Sequence, residues 1–394
     1  MGLIVEKALK TPMEVPVPGE EWGRRELVDP RVDGVFTDGC FLGLTVEAAE
    51  DFERDYERDV SAYGEELASE GAWYALSDGK SLADLFRMWA WAKTKQFGKL
   101  KLVPTYSQAE LIELIMKAFR EDTPLYILLL KARQLGGSTA LQIIWMLLAS
   151  VMEFCNFLTM AHKRDKTGGL FAMQKSAWLF MPFRPRVLWS PSRAPAARFV
   201  LSGSESFIES AEDSDPAHSS SYRFAHLSEH ARYGEAERVD AAVGATLPDA
   251  GFYVLVKETT GNGIGNQFYR NWTDAEKGKN EFTALFHTWF RHKRYRKKMT
   301  EVIERELRNG DHSNELEAIE KEFSLQPEQM AWYVHVLMTK YGGDIDLMKE
   351  NYPSYALQAF LSSGRPVFGT RAFERMLGAM RLDPVFQGDI VIPA

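Results

Sequence analysis

From Tyr126 to about residue 290, short apolar runs recur between helical or loop segments: "YILLLKA" (126–132), "FCNFLTMA" (154–161), "ARFVLSG" (197–203), "YRFAHLSE" (222–229), "FYVLVKET" (252–259) and "FTALFHTWF" (282–290). These runs are nearly continuous in apolar residues instead of alternating, which is the pattern of strands covered on both faces. The rhythm predicts an α/β domain with a largely parallel sheet and flanking helices. After about residue 291 the chain turns charged with helical periodicity, from "TEVIERELRNG" (300–310) to "QPEQMAWYVHVLMTKYGGD" (326–344), and predicts a helical subdomain. The first hundred residues are polar and acidic. They predict a largely helical extension, with one helix from Thr45 to about Gly71 and a second in "LADLFRMWAWAKTKQFG" (82–98), whose Trp89 and Trp91 are read as packing residues. Linker signals are weak and lie at "WSPSRAPAA" (189–197) and "SSGRPVFG" (362–369).

Composition narrows the class. At 394 residues, with 45% hydrophobic and 12% aromatic content, the chain is long enough for a large core and two or three domains. Two cysteines, Cys40 and Cys155, make no disulfide framework. The chain has no secretory leader pattern, and the apolar run Ile143 to Met152 is short of the roughly 20 residues a membrane span needs, so a soluble protein of a reducing cytoplasm is expected. The net charge of -8 argues against a uniformly basic surface, yet leaves room for a local groove that binds nucleic acid. "RHKRYRKKM" (291–299) holds seven Lys, Arg or His residues and is open to two readings, a track for phosphates or a solvated surface.

Candidate chemistry begins at "ILLLKARQLGGSTALQ" (127–142), a strand, a Gly-rich turn, a hydroxyl pair and an apolar helix. Aligned with the phosphate-loop pattern G-x-x-x-x-G-K-[ST], Gly136 takes the sixth position and Ser138 the place of the magnesium-ligating hydroxyl. Gly137 stands where the lysine belongs, and Lys131 falls at the first position. Backbone N–H groups at a helix N-terminus cradle an anion without side chains, and Lys131 or Arg133 would supply the mobile charge. Taken alone, the loop also reads as an ordinary strand-to-helix turn.

Two further strand ends bear on that choice. "YRFAHLSEH" ends in Ser228 and Glu229, where hydrolytic P-loop proteins carry two acids; here only Glu229 is a carboxylate, suited to orienting a water, or else to capping the next helix. His226 and His230 flank it and are read as packed or solvent-facing. "YVLVKETTGNGIGNQFYRNW" (253–272) leaves its strand into Thr259, Thr260, Gly261, Asn262 and Gly263, small groups able to bond a phosphate or a positioned water, or simply to make a turn.

The order of these segments resembles the ATPase domain of the large terminase subunit of tailed bacteriophages. "LVPTYSQAELI" (102–112) is similar to the adenine-reading segment, with Gln108 as the reader, and "KARQLGGST" (131–139) to the variant phosphate loop with its characteristic arginine, Arg133. "NFLTMAHKRDKTGGLF" (156–171) resembles the next core strand, "HLSE" the variant second motif, and "ETTGNGIGNQFYRNW" the coupling motif; "PEQMAWY" and "NYPSYALQAFLSSGRPVF" resemble the closing segments. The matched text spans roughly 100 to 370.

The resemblance implies a P-loop NTPase core of the ASCE type at 101–290, a helical lid at 291–365 and a linker from 366 to 394, after an N-terminal extension at 1–100. ATP would lie against Gln108 and the loop Lys131, Ala132, Arg133, Gln134, Leu135, Gly136, Gly137, Ser138 and Thr139, with magnesium on Ser138 and Ser228. Glu229, Arg133 and Lys131 are the expected catalytic residues, and Thr259, Thr260, Gly261 and Asn262 the coupling residues. Expected partners are double-stranded DNA, a portal protein, the small terminase subunit and further copies of the chain in a ring, a pentamer by the same resemblance, in the host cytoplasm and not on a membrane. The family's nuclease domain has no counterpart after "FQGDIVIPA" (386–394), so nuclease activity is not expected. A P-loop helicase or remodelling ATPase, and a catalytically inactive packaging scaffold, stand as alternatives.

Overall fold

A computed structural model of the chain describes residues 105–180, 187–190, 196–200, 202–213, 221–292 and 294–361, with four short strands ahead of them. Those are β1 (Met13–Pro16) and β2 (Arg25–Val28), which pair antiparallel, and β3 (Trp91–Thr94) and β4 (Gly98–Lys101), which do the same. Over Trp91–Thr94 and Gly98 the second pair replaces the helix expected in 82–98 with strand, in keeping with the extended preference of Trp91 and Thr94, and the rest of that expected helix lies outside the described residues. The helix expected from Thr45 to about Gly71 lies outside the described residues.

The six apolar runs and two further segments make one sheet. Its strands are β5 (Leu125–Lys131), β6 (Asn156–Ala161), β7 (Val187–Ser190), β8 (Ala196–Phe199), β9 (Glu205–Ser210), β10 (Phe224–Ser228), β11 (Val254–Thr259) and β12 (Thr283–His287). They lie in the order β12-β5-β11-β10-β6-β9-β8-β7. The first six are parallel, and β8 and β7 turn antiparallel at one edge. "WSPSRAPAA", read as a linker, contains the end of β7 and the start of β8. β9 was not legible as a strand because its text, "ESFIES", is mostly polar. Its serines are satisfied internally, as where Gln174 donates to Ser206 Oγ across 2.9 Å.

Each face of the sheet carries helices. On one face α1 (Tyr106–Glu121), α2 (Gly137–Val151) and α3 (Arg164–Phe180) cover a core of Ile127, Leu129, Trp145, Phe157, Phe224, Val254 and Val256. Phe157 and Phe224 stack at 4.5 Å there. α2 is apolar nearly all round because both its sides are buried. On the other face α4 (Ala236–Gly244) packs Val239 and Val243 on Leu158, Ala225 and Leu227, and α5 (Gln267–Glu276) packs Phe268 and Trp272 on Leu128 and Leu130. The continuous apolar runs are thus explained by burial on both sides.

The charged C-terminal text folds into α6 (Glu301–Asn309), α7 (Ser313–Glu322), α8 (Pro327–Lys340), α9 (Ile345–Asn351) and α10 (Ala356–Leu361). Thr300 caps α6, Asp344 caps α9, and Pro327 starts α8 where its missing N–H costs nothing. Leu307, Leu316, Met330, Tyr333 and Met348 form their core, joined by Trp289 and Tyr295 and also by Ala132 and Leu135 of the Gly-rich loop. α10 crosses back, placing Ala359 and Phe360 against Phe268 and Trp272. The loop is therefore seated between sheet and helical subdomain, with side chains anchored in the latter.

Candidate active site

The turn from β5 into α2 needs left-handed backbone at Gln134 (φ 61°) and Gly136 (φ 77°). A Cβ at Gly136 would also stand 2.8 Å from Gln108 Nε2, so a side chain there would have to displace the Gln108 amide as well as adopt left-handed backbone. Gln108 donates that amide to the Gly136 carbonyl at 3.2 Å, while its Oε1 accepts the Thr105 N–H at 3.0 Å, tying the start of α1 to the loop. The expected adenine reader is thus at the loop, with both ends of its amide engaged.

Helical subdomain and sheet edge hold the loop backbone from outside. Ala132 N–H donates to His287 O and Arg133 N–H to Asn351 O, each at 2.9 Å. Tyr295 Oη donates to Arg133 O at 2.7 Å and Arg294 Nη2 to Gln134 O at 2.8 Å. Arg291 lies over the Tyr106 ring at 4.7 Å. Arg291 and Arg294, two of the seven basic residues in the run at 291–299, thus engage α1 and the loop, while Arg296, Lys297 and Lys298 are exposed. Arg133 itself has an exposed side chain. By helix geometry the first-turn N–H groups of Gly137, Ser138 and Thr139 lack intrahelical acceptors, which leaves an anion cradle at the start of α2. The Thr139 hydroxyl turns toward Met173 of α3.

Under this cradle lies a carboxylate that the sequence reading did not select. Glu258, on β11 and fully buried, accepts from Lys131 Nζ at 3.0 Å and Ser138 Oγ at 2.7 Å on Oε1, and meets His226 Nε2 at 2.6 Å on Oε2. Burial alone would raise its pKa; the Lys131 ammonium and the bonds from His226 and Ser138 outweigh that and hold it well below the usual carboxylate range. Burial likewise acts to lower Lys131, and the Glu258 and Glu229 charges reverse it, leaving the ammonium raised. Gly137 makes room for this pair, since a Cβ there would stand 3.2 Å from Glu258 Oε1 and 3.3 Å from Lys131 Cδ. The space beside the position where the standard loop starts its lysine is filled by Lys131 arriving from the strand.

The polar cluster continues beneath α2. Gln142 Nε2 meets His226 Nδ1 at 3.0 Å, Thr159 donates to Gln142 Oε1 at 3.2 Å, and Gln174 donates to the same oxygen at 2.8 Å. Such buried groups are tolerable because most of their polar atoms satisfy one another, Gln174 Oε1 being left without a partner among the described residues. Two signals pointed toward Glu258 and His226: an acid inside the apolar run "FYVLVKET" and a histidine inside "YRFAHLSE".

Glu229 follows β10 with left-handed backbone (φ 56°), uncommon for a residue with a side chain and a mark of a constrained site. Its Oε2 accepts from Thr260 Oγ1 at 3.2 Å and lies 3.5 Å from Arg232 Nε. Asn262 Nδ2 donates to Ala231 O at 2.7 Å, and Thr259 Oγ1 bonds to the Thr260 carbonyl at 2.8 Å. Of the four expected coupling residues, Thr260 and Asn262 thus bond to the turn that carries Glu229, the Gly261 carbonyl faces Arg232 Nη2 at 3.5 Å, and Thr259 bonds within its own segment. Gly261 is pressed against the helical subdomain: a Cβ would stand 2.2 Å from Ala359 O. On the far face His230 Nε2 and Lys257 Nζ both hold Asp240, at 2.8 and 2.7 Å.

Ser228 is buried at the end of β10, directly beside Glu258 in the β10–β11 register. Among the described residues no group of three or more His, Cys, Asp or Glu side chains is placed to hold a metal ion. Ser138 and Glu258 are oxygen donors at the cradle, which fits a hard cation held mainly by phosphate oxygens and water. No helix among the described residues is long and apolar enough to cross a membrane.

No family model and no curated protein matches the chain. Among solved structures it is similar to the bacteriophage HK97 large terminase, at 15% identity over 69% of this chain and 53% of that one, with a TM-score of 0.46. The large terminase of the thermophilic bacteriophage D6E in complex with ATP-gamma-S matches at 15% identity over 46% and 43%, TM-score 0.33. The Thermus phage P74-26 large terminase ATPase domain matches at 14% over 61% and 92%, TM-score 0.35. The chain spans about half the length of the HK97 and D6E large terminases.

Proposed function

We propose that the chain hydrolyses ATP and uses the energy to move double-stranded DNA into a viral procapsid, as the motor part of a terminase large subunit. The observation that carries the ATPase reading is the convergence of Lys131, Ser138 and Glu258 under the N-terminus of α2, with Glu229 on the turn after β10, two strands from β5 in the sheet. An anion cradle, a buried lysine and a constrained carboxylate at the carboxyl ends of parallel strands are the parts phosphoryl transfer to water requires.

In this reading the N–H groups of Gly137, Ser138 and Thr139 bind the phosphates, while Lys131 and the exposed Arg133 offset their charge. Ser138 would hold magnesium, which when bound neutralises charge on the β- and γ-phosphates. Glu229 orients the attacking water and takes its proton. Thr260, bonded to Glu229, reports the state of that carboxylate to the β11 exit, and Gly261 passes it to α10 by direct packing. Arg294, Tyr295 and Asn351 link the loop to the same subdomain, so nucleotide occupancy and subdomain position are mechanically joined.

DNA, a portal protein, a small terminase subunit and a ring of copies belong to the same proposal and rest on the motif resemblance. The test is ATP turnover with and without double-stranded DNA, beside displacement of a third strand from a triplex. DNA-stimulated turnover with triplex displacement is expected. Separation of duplex strands would favour a helicase, and absence of turnover a scaffold.

A further inference from the structure

P-loop enzymes that use a serine or threonine to hold magnesium generally back it with an acid at the end of a neighbouring strand. Here that position is Ser228, which has no charge to offer. The residue paired with it across the sheet is Glu258, at the same height and one strand nearer to β5. Both side chains leave the sheet on the α2 side, because His226 and Val256, two residues earlier on each strand, contact residues on that face. Glu258 grips the Ser138 hydroxyl at 2.7 Å and accepts the Lys131 ammonium on the same oxygen.

Two departures from the standard pattern therefore compensate each other in space. The lysine is lost at Gly137 and supplied from β5 by Lys131; the acid is lost at Ser228 and supplied from β11 by Glu258. Neither change works alone. A buried carboxylate at 258 without Lys131 is an uncompensated charge, and Lys131 without it is another. The glycine at 137 is what leaves both side chains their space.

We propose that Glu258 is the acid that positions Ser138 for the cation of a bound nucleotide, taking the place of the acid absent at residue 228. It is a positioning residue, acting through Ser138 and, in the nucleotide-free state, holding Lys131 in reserve at 3.0 Å. The proposal rests on the nucleotide-binding reading above and adds to it where the cation's support comes from. His226, bonded to the other carboxylate oxygen and backed by Gln142, fixes the rotamer of Glu258 so that Oε1 faces the loop.

The experiment is calorimetric titration of ATP with magnesium and with excess chelator, on the wild-type chain, Glu258→Gln and Glu258→Gln/Ser228→Asp. Wild type is expected to bind ATP at least about tenfold more tightly with magnesium, because the cation and its ligands add to the phosphate contacts. In Glu258→Gln that ratio should fall toward one, whichever way release of Lys131 moves binding without metal. Returning an acid to the neighbouring strand with Ser228→Asp should restore much of the ratio. Circular dichroism and thermal melting report folding; if Glu258→Gln does not fold, the double variant, which keeps an acid near Lys131, carries the test by its restored metal dependence. An undiminished ratio in Glu258→Gln, or a folded double variant with none, overturns the role of Glu258 while leaving the nucleotide site standing. Absence of ATP binding by wild type in both conditions overturns the site and this role together.

Discussion

Thr260 donates its hydroxyl to Glu229 across 3.2 Å, joining the exit of β11 to the carboxylate that follows β10. Because Glu229 sits in left-handed backbone, its aim depends on such outside restraints more than on its own turn. Thr260→Val keeps the shape and removes the donor. ATP affinity should be unchanged within about twofold while kcat falls about tenfold, the mark of a group that acts on the transition state. Equal losses in affinity and kcat would make Thr260 a general support of the fold.

Lys131→Ala leaves Glu258 buried without its cation, which should cost about 3–5 kcal/mol of stability as well as turnover. Gly137→Lys in the wild-type background should also harm, since the new Cβ meets Glu258 and Lys131 at 3.2 and 3.3 Å. Combined, the two changes should be milder than their sum, because truncating Lys131 frees the space and the new lysine restores a counter-ion. Thermal melts of the three variants check this. Additive losses would mean that the two positions do not share one pocket.

The same pair has a pH signature. The folded Glu258 carboxyl is lowered, so its contribution is present above the unfolded value of about 4.3 and is lost as pH falls below it. The Lys131 ammonium is raised, so its contribution is present below about 10.4 and is lost as pH rises beyond it. Wild type should therefore lose more melting temperature than Glu258→Gln between pH 5 and about 3. Parallel acid limbs for the two chains would contradict the pairing.

At Gly261 any side chain would press on α10, where Ala359 O stands 2.2 Å from the position of a Cβ. Gly261→Ala should cost about 1–3 kcal/mol and loosen the helical subdomain from the β11 exit. Hydrogen exchange is expected to quicken in α10 more than in β5 or β11. Uniform protection across the chain would show that the contact relaxes without moving the subdomain.

What could be read from the sequence follows from how each residue is used. Strands covered on both faces write themselves as apolar runs, so β5, β6, β10, β11 and β12 were legible, and the left-handed turn announced itself through Gly136. β9 was hidden because serine and glutamate on a buried strand look like a loop until their partners are in place, as Gln174 of α3 is for Ser206 and Tyr222 is for Glu209. Glu258 was hidden for a related reason. Its role depends on lying beside Ser228 in register and under Ser138, relations between segments far apart in sequence. The basic run at 291–299 was open to two readings, and only their partners in space show that two of its residues, Arg291 and Arg294, meet Tyr106 and the loop carbonyl of Gln134.

The central claim is that this loop binds ATP and that Glu229 directs its hydrolysis. The most direct measurement is release of inorganic phosphate from ATP and magnesium by the wild-type chain and by Glu229→Gln, with nucleotide binding followed on the same samples. Glu229→Gln keeps size and hydrogen bonding but removes the base, so ATP should bind both chains alike while turnover falls by roughly 100-fold or more. Turnover near wild type in Glu229→Gln, or ATP that binds neither chain, would contradict the account.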